Sequence, residues 1–215
     1  MALNLTPERK LLFRITHIAN LPWLLANGLH CANGVAADPK FVAIGNSDLI
    51  GKRAHRQVRV PPGGMLADYV PFYFTPKSPM LFNIKTGYNG IVQRSNQDIV
   101  ILVSSCDAMN NNGVAMLFTD RHAYTATAAW SDDSAHLSWM IDWDILNRHD
   151  FARDDRYPDK MERYQAEALA HQHVPPDALL GIGCVSEEVR RTIEGRIQAA
   201  GRALRVVVRP GWYFL

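Results

Sequence analysis

Six apolar segments that favour β-strands recur along the chain and do not alternate regularly with helical segments. Each is rich in β-branched or aromatic residues, and they are LLFRITH (11–17), YVPFYF (69–74), DIVILVS (98–104), VAMLFT (114–119), LRVVV (204–208) and GWYFL (211–215). Pro71 has no backbone N–H to donate, so the second segment is predicted to be an edge or bulged strand. This order favours an α+β fold over a doubly wound parallel sheet.

Three helices are predicted between these strands. A short helix follows Asn20 and is closed by Gly28, because glycine readily ends a helix. The segment DWDILNRHD (142–150) is interpreted as a second short helix. A longer helix runs from its N-cap, Ser186, to Gly201. The apolar face of that helix comprises Val189, Ile193 and Ile197.

Residues 31–64 form a long polar segment with little regular periodicity, ending in the turn-forming sequence PPGG (61–64). A loop of this length inside a compact domain usually has a function or is disordered, and its basic content favours a role in covering a ligand. Between Lys40 and Val60 five basic residues stand against Asp48 alone, a balance that suits a polyanion such as nucleic acid. Solvated surface charge is the simpler interpretation of such a run.

Length and cysteine content bound the class of protein. A chain of 215 residues is long enough for one well-packed domain, and its three cysteines form no CxxC pair, which argues against a disulfide framework or a zinc ribbon. The N-terminus lacks the pattern of a signal peptide and no apolar run is long enough to span a bilayer, so a cytoplasmic protein is expected. No GxGxxG follows a strand and no GxxxxGKS or GxxxxGKT occurs, which leaves Rossmann and P-loop nucleotide binding unsupported.

The stretch ERYQAEALAHQHVP (162–175) admits two interpretations. As a helix it has apolar residues at i, i+3 and i+7 among good helix formers. As a strand it places Gln165, Glu167 and Leu169 on one face. The two interpretations give Glu167 different neighbours, and residue pattern alone leaves both open.

Several polar residues are candidates for a site. His17 ends the first predicted strand, where side chains project into a cleft, although a structural role is the simpler interpretation. His171 and His173 would share one face of a strand, but no third ligand lies at a suitable spacing, so no metal site is expected. The segment FTDRHAY (118–124) forms either a turn stabilised by Asp120 or a loop that reads a substrate.

Six blocks of sequence carry a resemblance to a known family. In chain order they are RITHIANLPWLLANGLHC, IGNSDLIGKR, PPGGMLADYVPFYFTPKSPML, FTDRHAY, ERYQAEAL and SEEVRR. Over nearly the whole chain they resemble the DarT family of bacterial DNA ADP-ribosyltransferase toxins. The resemblance implies an α+β ADP-ribosyltransferase fold, with two small packed β-sheets and flanking helices around an NAD+ cleft. It also implies one domain over residues 1–215, an NAD-covering loop at about 33–59 and a substrate loop at about 105–135.

The same resemblance implies roles for individual residues. Glu167 would lie on a strand at the cleft as the catalytic carboxylate, with Gln165 on the same face. Arg53 would be its catalytic partner, either holding the pyrophosphate or polarising the base carbonyl. The residues implied to bind NAD+ are Thr16, His17, Asn20, Gly45, Asn46, Arg53, Tyr69 and Tyr73. His122 and Arg121 would lie in the loop that meets the nucleic acid. NAD+ is the expected co-substrate, and no metal is implied.

The implied activity is that of a toxin that transfers ADP-ribose from NAD+ onto a thymidine base of single-stranded DNA and releases nicotinamide. A carboxylate would favour the positive charge that develops on the ribose, and a base-pairing nitrogen can react only when its edge is free. The expected partners are single-stranded DNA and a DarG-type macrodomain antitoxin, for a monomeric protein that contacts no membrane. The alternatives are a guanine, RNA or protein acceptor, an NAD+ glycohydrolase, or a non-catalytic nucleic-acid-binding module.

Overall fold

The computed structural model describes residues 3–152 and 154–215. Within these residues the strands are β1 (Leu11–His17), β2 (Leu29–His30), β3 (Tyr69–Tyr73), β4 (Ile99–Ser105), β5 (Met116–Thr119), β6 (Trp130–Ser131), β7 (Glu167–His171), β8 (His173–Val174), β9 (Gly181–Cys184) and β10 (Arg205–Val208). The α-helices are α1 (Leu21–Asn27), α2 (Ser47–Ala54), α3 (Pro79–Thr86), α4 (Cys106–Asn111), α5 (Leu137–Met140), α6 (Trp143–Arg148), α7 (Lys160–Arg163) and α8 (Glu187–Ala199).

Eight of the described strands form one sheet in the order β10-β9-β4-β1-β3-β7-β5-β6, and β2 pairs with β8 in a second, two-stranded sheet. The pairing is antiparallel except between β9 and β10, which are parallel. Within the described chain, β1 and β3 pair through Phe13 and Tyr73 alone. The large sheet therefore consists of two four-stranded halves that meet at one residue pair and diverge beyond it. The family resemblance implied two small packed sheets, whereas the described strands form one large sheet with this narrow junction and the separate β2–β8 pair.

The prediction that Pro71 lies in an edge or bulged strand was wrong, because β3 lies between β1 and β7 in the interior of the sheet. The backbone N and C=O of one strand residue point to the same side, and the Pro71 carbonyl points toward β1. There it accepts a hydrogen bond of 2.7 Å from Nη1 of Arg14 rather than from a strand N–H. Since β1 has already diverged at this point, no ladder hydrogen bond needs the N–H that proline lacks.

The helices agree with their local signals. The prediction for α1 was confirmed, with Gly28 at its C-cap in a positive-φ conformation. The prediction for α8 was also confirmed: the hydroxyl of its N-cap, Ser186, accepts a hydrogen bond from the N–H of Val189. Its predicted apolar face, Val189, Ile193 and Ile197, is buried. The short helix predicted within 142–150 is α6.

The strand predicted at 211–215 was wrong. Pro210–Trp212 form a 3-10 helix, and Tyr213 follows it as a buried residue. The Tyr213 hydroxyl donates to the carbonyls of Ile99 and Gly183, and the Trp212 ring packs edge-on against Phe13. These aromatic side chains pack against the sheet instead of adding a strand to it.

The segment 31–64 contains one element that the sequence pattern did not indicate, the helix α2. The Asn46 side chain caps it by accepting a hydrogen bond of 3.0 Å from the N–H of Leu49. No residue of α2 is buried, so its sequence lacks the apolar stripe by which an amphipathic helix is usually recognised. This helix positions Arg53 over the sheet.

Two apolar clusters hold the sheet in place. The larger contains Leu12, Leu25 and Ile193, which join β1 to α1 and α8. The smaller is built around Leu117 of β5 and Leu169 of β7. Among the described residues, no helix combines the length and apolar character needed to cross a membrane.

Candidate active site

Glu167 begins β7 between two paired strands, opposite Tyr73 of β3 and Thr119 of β5. Its side chain is 1% exposed. The helix α7 ends at Arg163 and the strand starts at Glu167, so each interpretation of this stretch holds for one part of it. Gln165 lies between the two elements and donates a hydrogen bond of 3.0 Å to the Met161 carbonyl. The expectation that Gln165 shares a strand face with Glu167 was therefore wrong.

The Glu167 carboxylate is held by three neighbours. Arg53 Nη1 lies 3.0 Å from Oε1 and 3.1 Å from Oε2. The backbone N–H of Ala123 donates to Oε2 at 2.8 Å, and His122 Nε2 lies 4.0 Å from Oε1. The carboxylate is therefore fixed by an ion pair, a backbone donor and an adjacent imidazole.

The electrostatic environment keeps this carboxylate ionised. Burial by itself would raise the pKa of Glu167, but the Arg53 guanidinium, His122 and the Ala123 N–H together lower that pKa below its ordinary value. Burial lowers the pKa of His122, against the opposing effect of Glu167. Near neutral pH the site thus holds a charged carboxylate beside a neutral imidazole.

A cavity of about 160 Å³ opens in front of Glu167, where the two halves of the sheet diverge. We call it the glutamate cavity. Seven of the residues implied by the family resemblance line it, namely Thr16, Gly45, Asn46, Arg53, Tyr73, His122 and Glu167. They come from β1, the segment before α2, α2 itself, β3, the loop after β5 and β7. The fold thus brings together residues separated by up to about 150 positions in the chain.

Four of the residues implied to bind NAD+ or nucleic acid lie outside the glutamate cavity, and their binding roles stay predictions. His17 Nδ1 accepts a hydrogen bond from the N–H of Ala19. The Tyr69 hydroxyl donates to the Gly63 carbonyl at 2.6 Å. Arg121 forms ion pairs with Asp120 and Glu162.

The fourth of them, Asn20, lines a second cavity of about 240 Å³, which we call the tryptophan cavity after Trp23. The Asn20 amide donates to the Thr16 hydroxyl at 3.1 Å and to the Val42 carbonyl at 3.0 Å. It also accepts a hydrogen bond from the N–H of Val42. Asn20 therefore ties the loop before α2 to the end of β1.

Sequence reasoning missed Arg14, which lines both cavities. Burial is the main cause that lowers its pKa, to about 10, and nearby Arg53 acts in the same direction. A signal for it was present, because residues two apart in a strand share a face, and Arg14 is two residues from Thr16. Placing Thr16 at the cleft therefore also places Arg14 there.

Sequence reasoning also missed a pair of residues next to His122, in and near the loop after β5. The guanidinium carbon of Arg56 lies 5.9 Å from the centre of the Tyr124 ring, and Tyr124 is 38% exposed. The N–H of Tyr124 donates to His122 Nδ1 at 3.1 Å, which joins this residue to the site. Nothing in local sequence pattern marks the pair, because it forms only when the segment after α2 and this loop pack together. No group of three potential metal ligands occurs among the described residues.

Comparison with known sequences gives consistent matches. The family described as "DarT: ssDNA thymidine ADP-ribosyltransferase, DarT" matches residues 13–214. A DNA ADP-ribosyl transferase of Escherichia coli O127:H6 (strain E2348/69 / EPEC) is 48% identical over 213 residues, covering 98% of this chain and 96% of that protein. A DNA ADP-ribosyl transferase of Thermus sp. (strain 2.9) is 34% identical over 212 residues, covering 97% and 98%.

Solved structures agree with the sequence matches. Thermus sp. 2.9 DarT in complex with ADP-ribosylated ssDNA superposes with a TM-score of 0.88 at 32% identity, over 100% of both chains. The same protein in complex with NAD+ superposes with a TM-score of 0.83 at 32% identity, over 97% of this chain and 100% of that one. The predicted α+β ADP-ribosyltransferase fold is therefore confirmed. Since the family match and both relatives extend over almost the whole sequence, this chain belongs to the DarT family of single-stranded DNA thymidine ADP-ribosyltransferases.

Proposed function

We propose that this chain transfers ADP-ribose from NAD+ to a thymidine base in single-stranded DNA, releases nicotinamide, and acts as the toxin of a toxin–antitoxin pair. One observation carries the proposal. Glu167 is buried and ionised at the head of the glutamate cavity, held by Arg53 and the N–H of Ala123. A fixed carboxylate at the wall of a cavity suits a reaction in which positive charge develops on a sugar.

The residues present fit NAD+ as co-substrate. Arg53 Nη2 is buried without a hydrogen-bond partner, so it has a donor to offer a ligand. Thr16, Tyr73 and Asn46 would contact the nicotinamide and its ribose inside the glutamate cavity. The segment at about 33–59 would cover the bound NAD+. When bound, NAD+ supplies the ADP-ribosyl group together with a neutral leaving group. No metal is needed for such a leaving group.

Glu167 and Arg53 would divide the remaining work. The carboxylate stabilises the positive charge on the ribose and then accepts the proton of the reacting base nitrogen. Because the pKa of Glu167 is lowered, it is a weak base and needs the base nitrogen to be made more acidic. Arg53 would do this by donating to the carbonyl oxygen beside that nitrogen, which withdraws electron density from it.

The acceptor base would approach from the Tyr124 side. Tyr124 lies next to His122 and is 38% exposed, and Arg56 over one face of its ring offers a positive charge for a phosphate. Stacking on an aromatic ring together with cationic contacts to the backbone is the usual way in which proteins hold single strands. A single strand is required because pairing would occupy the edge of the base that reacts.

The chain would work as a monomeric single domain over residues 1–215, with a DarG-type macrodomain protein as its antitoxin. Family membership supports this part of the proposal.

The reaction is tested by mass spectrometry of a mixed-sequence single-stranded oligonucleotide incubated with NAD+ and the protein. We expect one ADP-ribose added at a thymidine. An oligonucleotide in which every thymidine carries an N3-methyl group should remain unmodified, because the methyl group blocks the reacting nitrogen. The unmethylated oligonucleotide paired with its complement should also remain unmodified, because pairing occupies that nitrogen.

Other results would replace this proposal with a different one. An adduct on guanine, RNA or protein would reassign the acceptor. Consumption of NAD+ without any adduct would identify a glycohydrolase. Salt-sensitive DNA binding that is indifferent to both NAD+ and Glu167 would identify a binding module.

Replacing Tyr124 with alanine tests the stacking surface. We expect DNA affinity to fall roughly tenfold, the value of one base–aromatic stack, with NAD+ affinity unchanged. Tyr124→Phe should retain binding because the ring remains, and Tyr157→Ala serves as a matched control at another exposed tyrosine. Fluorescence polarisation of a labelled oligonucleotide measures the affinities. Equal losses for Tyr124→Ala and Tyr157→Ala would remove Tyr124 from the binding surface.

A further inference from the structure

The large sheet ends at β10, which has a neighbouring strand on one side only. That neighbour, β9, runs parallel to β10, with Val207 opposite Gly183. The N–H of Arg209 donates to the Cys184 carbonyl at 2.8 Å, so the backbone groups of Arg209 and of every second residue before it point toward β9. The backbone groups of Val206 and Val208 therefore point outward.

This outward side of β10 has no strand partner. Within the part of the chain that the structure describes, no other backbone group bonds to the N–H of Val206 or Val208 or to the Val206 carbonyl. The Val208 carbonyl accepts a hydrogen bond of 3.0 Å from the Arg209 guanidinium. A groove of about 510 Å³ is lined by this strand and by side chains of α8. An unpaired edge of this kind is a template for another strand.

The unpaired edge carries a positive charge at each end. Arg205 begins β10, Arg209 follows it directly, and both are exposed. Because the two arginines are four residues apart in extended backbone, they share a face with Val207. The carboxylates that line the groove both pair with Arg190 of α8, and neither Arg205 nor Arg209 forms an ion pair among the described residues.

These charges argue against a second copy of this chain as the occupant. Two copies of β10 related by a twofold axis would pair antiparallel. The register that uses the outward groups of Val206 and Val208 would place Arg205 of each copy opposite Arg209 of the other. Like charges directly opposite each other destabilise a strand pair, whereas opposite charges stabilise it. Nucleic acid could meet the two charges, but it has no row of N–H and C=O groups to pair with the edge.

We propose that β10 binds an acidic extended segment of a partner protein, which joins the sheet as an additional strand. The segment would carry Asp or Glu opposite Arg205 and Arg209, and an apolar β-branched residue midway between them, opposite Val207. Four strands, β9, β4, β1 and β3, separate this edge from Glu167 on β7. The proposal therefore does not depend on the proposed function, and a bound partner would leave the glutamate cavity accessible.

Amide hydrogen exchange followed by NMR tests the proposal with two short peptides. One has the core Glu-Thr-Val-Thr-Glu, and the other has Lys in place of both Glu. We expect the acidic peptide at saturation to slow exchange of the Val206 and Val208 N–H groups by roughly tenfold or more. Exchange at Arg209 should change little, because its N–H is already bonded to β9. The lysine peptide should leave all three unchanged.

Two kinds of variant separate the charges from the backbone groups. For Arg205→Glu combined with Arg209→Glu, affinity for the acidic peptide should fall roughly tenfold and affinity for the lysine peptide should rise by a similar factor. Val208→Pro removes an outward N–H that β9 does not use, so it should weaken binding, while Val208→Thr keeps that N–H and should bind as the wild type does. Fluorescence polarisation of labelled peptides measures the affinities, and melting temperatures equal to that of the wild type show that each variant is folded.

Four results would overturn the proposal. Unchanged exchange at Val206 and Val208 with the acidic peptide would leave β10 as an edge that its arginines protect from pairing. Equal affinity of the wild type for both peptides would remove the charge preference. Exchange that slows with protein concentration in the absence of peptide would identify a second copy as the occupant. An oligonucleotide that protects these amides better than the acidic peptide does would assign the edge to nucleic acid.

Discussion

Replacing Glu167 with glutamine is expected to abolish ADP-ribosylation of single-stranded DNA while NAD+ binding remains measurable. Glutamine has nearly the same shape but no negative charge, so it neither stabilises positive charge on the ribose nor accepts a proton from the base. We expect the initial rate to fall by about 1,000-fold or more. Mass spectrometry of the oligonucleotide gives the rate, and calorimetric titration gives the NAD+ affinity.

Two further variants show whether this loss is chemical. Glu162→Gln is the matched control, since Glu162 is a half-exposed carboxylate close in sequence that pairs with Arg121, and it should keep its activity. Glu167→Gln leaves Arg53, whose side chain is 11% exposed, without its anionic partner, which should lower the free energy of unfolding by about 3 kcal/mol. Adding Arg53→Met should recover stability but not activity. Substantial DNA modification by folded Glu167→Gln would exclude Glu167 as the catalytic carboxylate.

Replacing Arg53 with alanine should have the second-largest effect. The variant loses both the donor proposed to polarise the base carbonyl and the charge that holds Glu167, so we expect DNA modification to fall roughly 100- to 1,000-fold. Single-turnover measurements at saturating NAD+ isolate this step from cofactor binding. Lys52→Ala is the control, because Lys52 is an exposed cation on the same helix. Unchanged modification with normal NAD+ binding would remove Arg53 from catalysis.

The pH dependence of the Arg53→Ala variant provides an independent measurement. Arg53 is the largest of the causes that lower the pKa of Glu167, whereas burial raises it. Without Arg53 the pKa of Glu167 should rise, so the carboxylate becomes ionised only at higher pH. The acidic limb of the rate profile should therefore shift to higher pH, and Arg53→Lys should shift it less because a positive charge remains. An acidic limb that does not move would mean that another group controls it.

The candidate site was identified in part by family resemblance and in part only by the fold. Resemblance supplied seven of the residues that line the glutamate cavity, because blocks such as IGNSDLIGKR and FTDRHAY are specific strings. It did not supply Arg14 or Tyr124. Arg14 lines both cavities, and the guanidinium of Arg56 lies over the ring of Tyr124. Both arrangements depend on contacts between elements far apart in the chain.

The sequence by itself determined the elements whose signals are local. The strands β1 and β4 follow from runs of apolar β-formers, and α8 follows from the N-cap Ser186 and an apolar stripe at helical spacing. Such signals need no information about distant residues, because they act through neighbouring side chains and the backbone. The tertiary structure decided the rest. It placed Glu167 on a strand between Tyr73 and Thr119, and it accommodated Pro71 in the interior of the sheet where β1 diverges, because pairing and burial between distant segments override local preference.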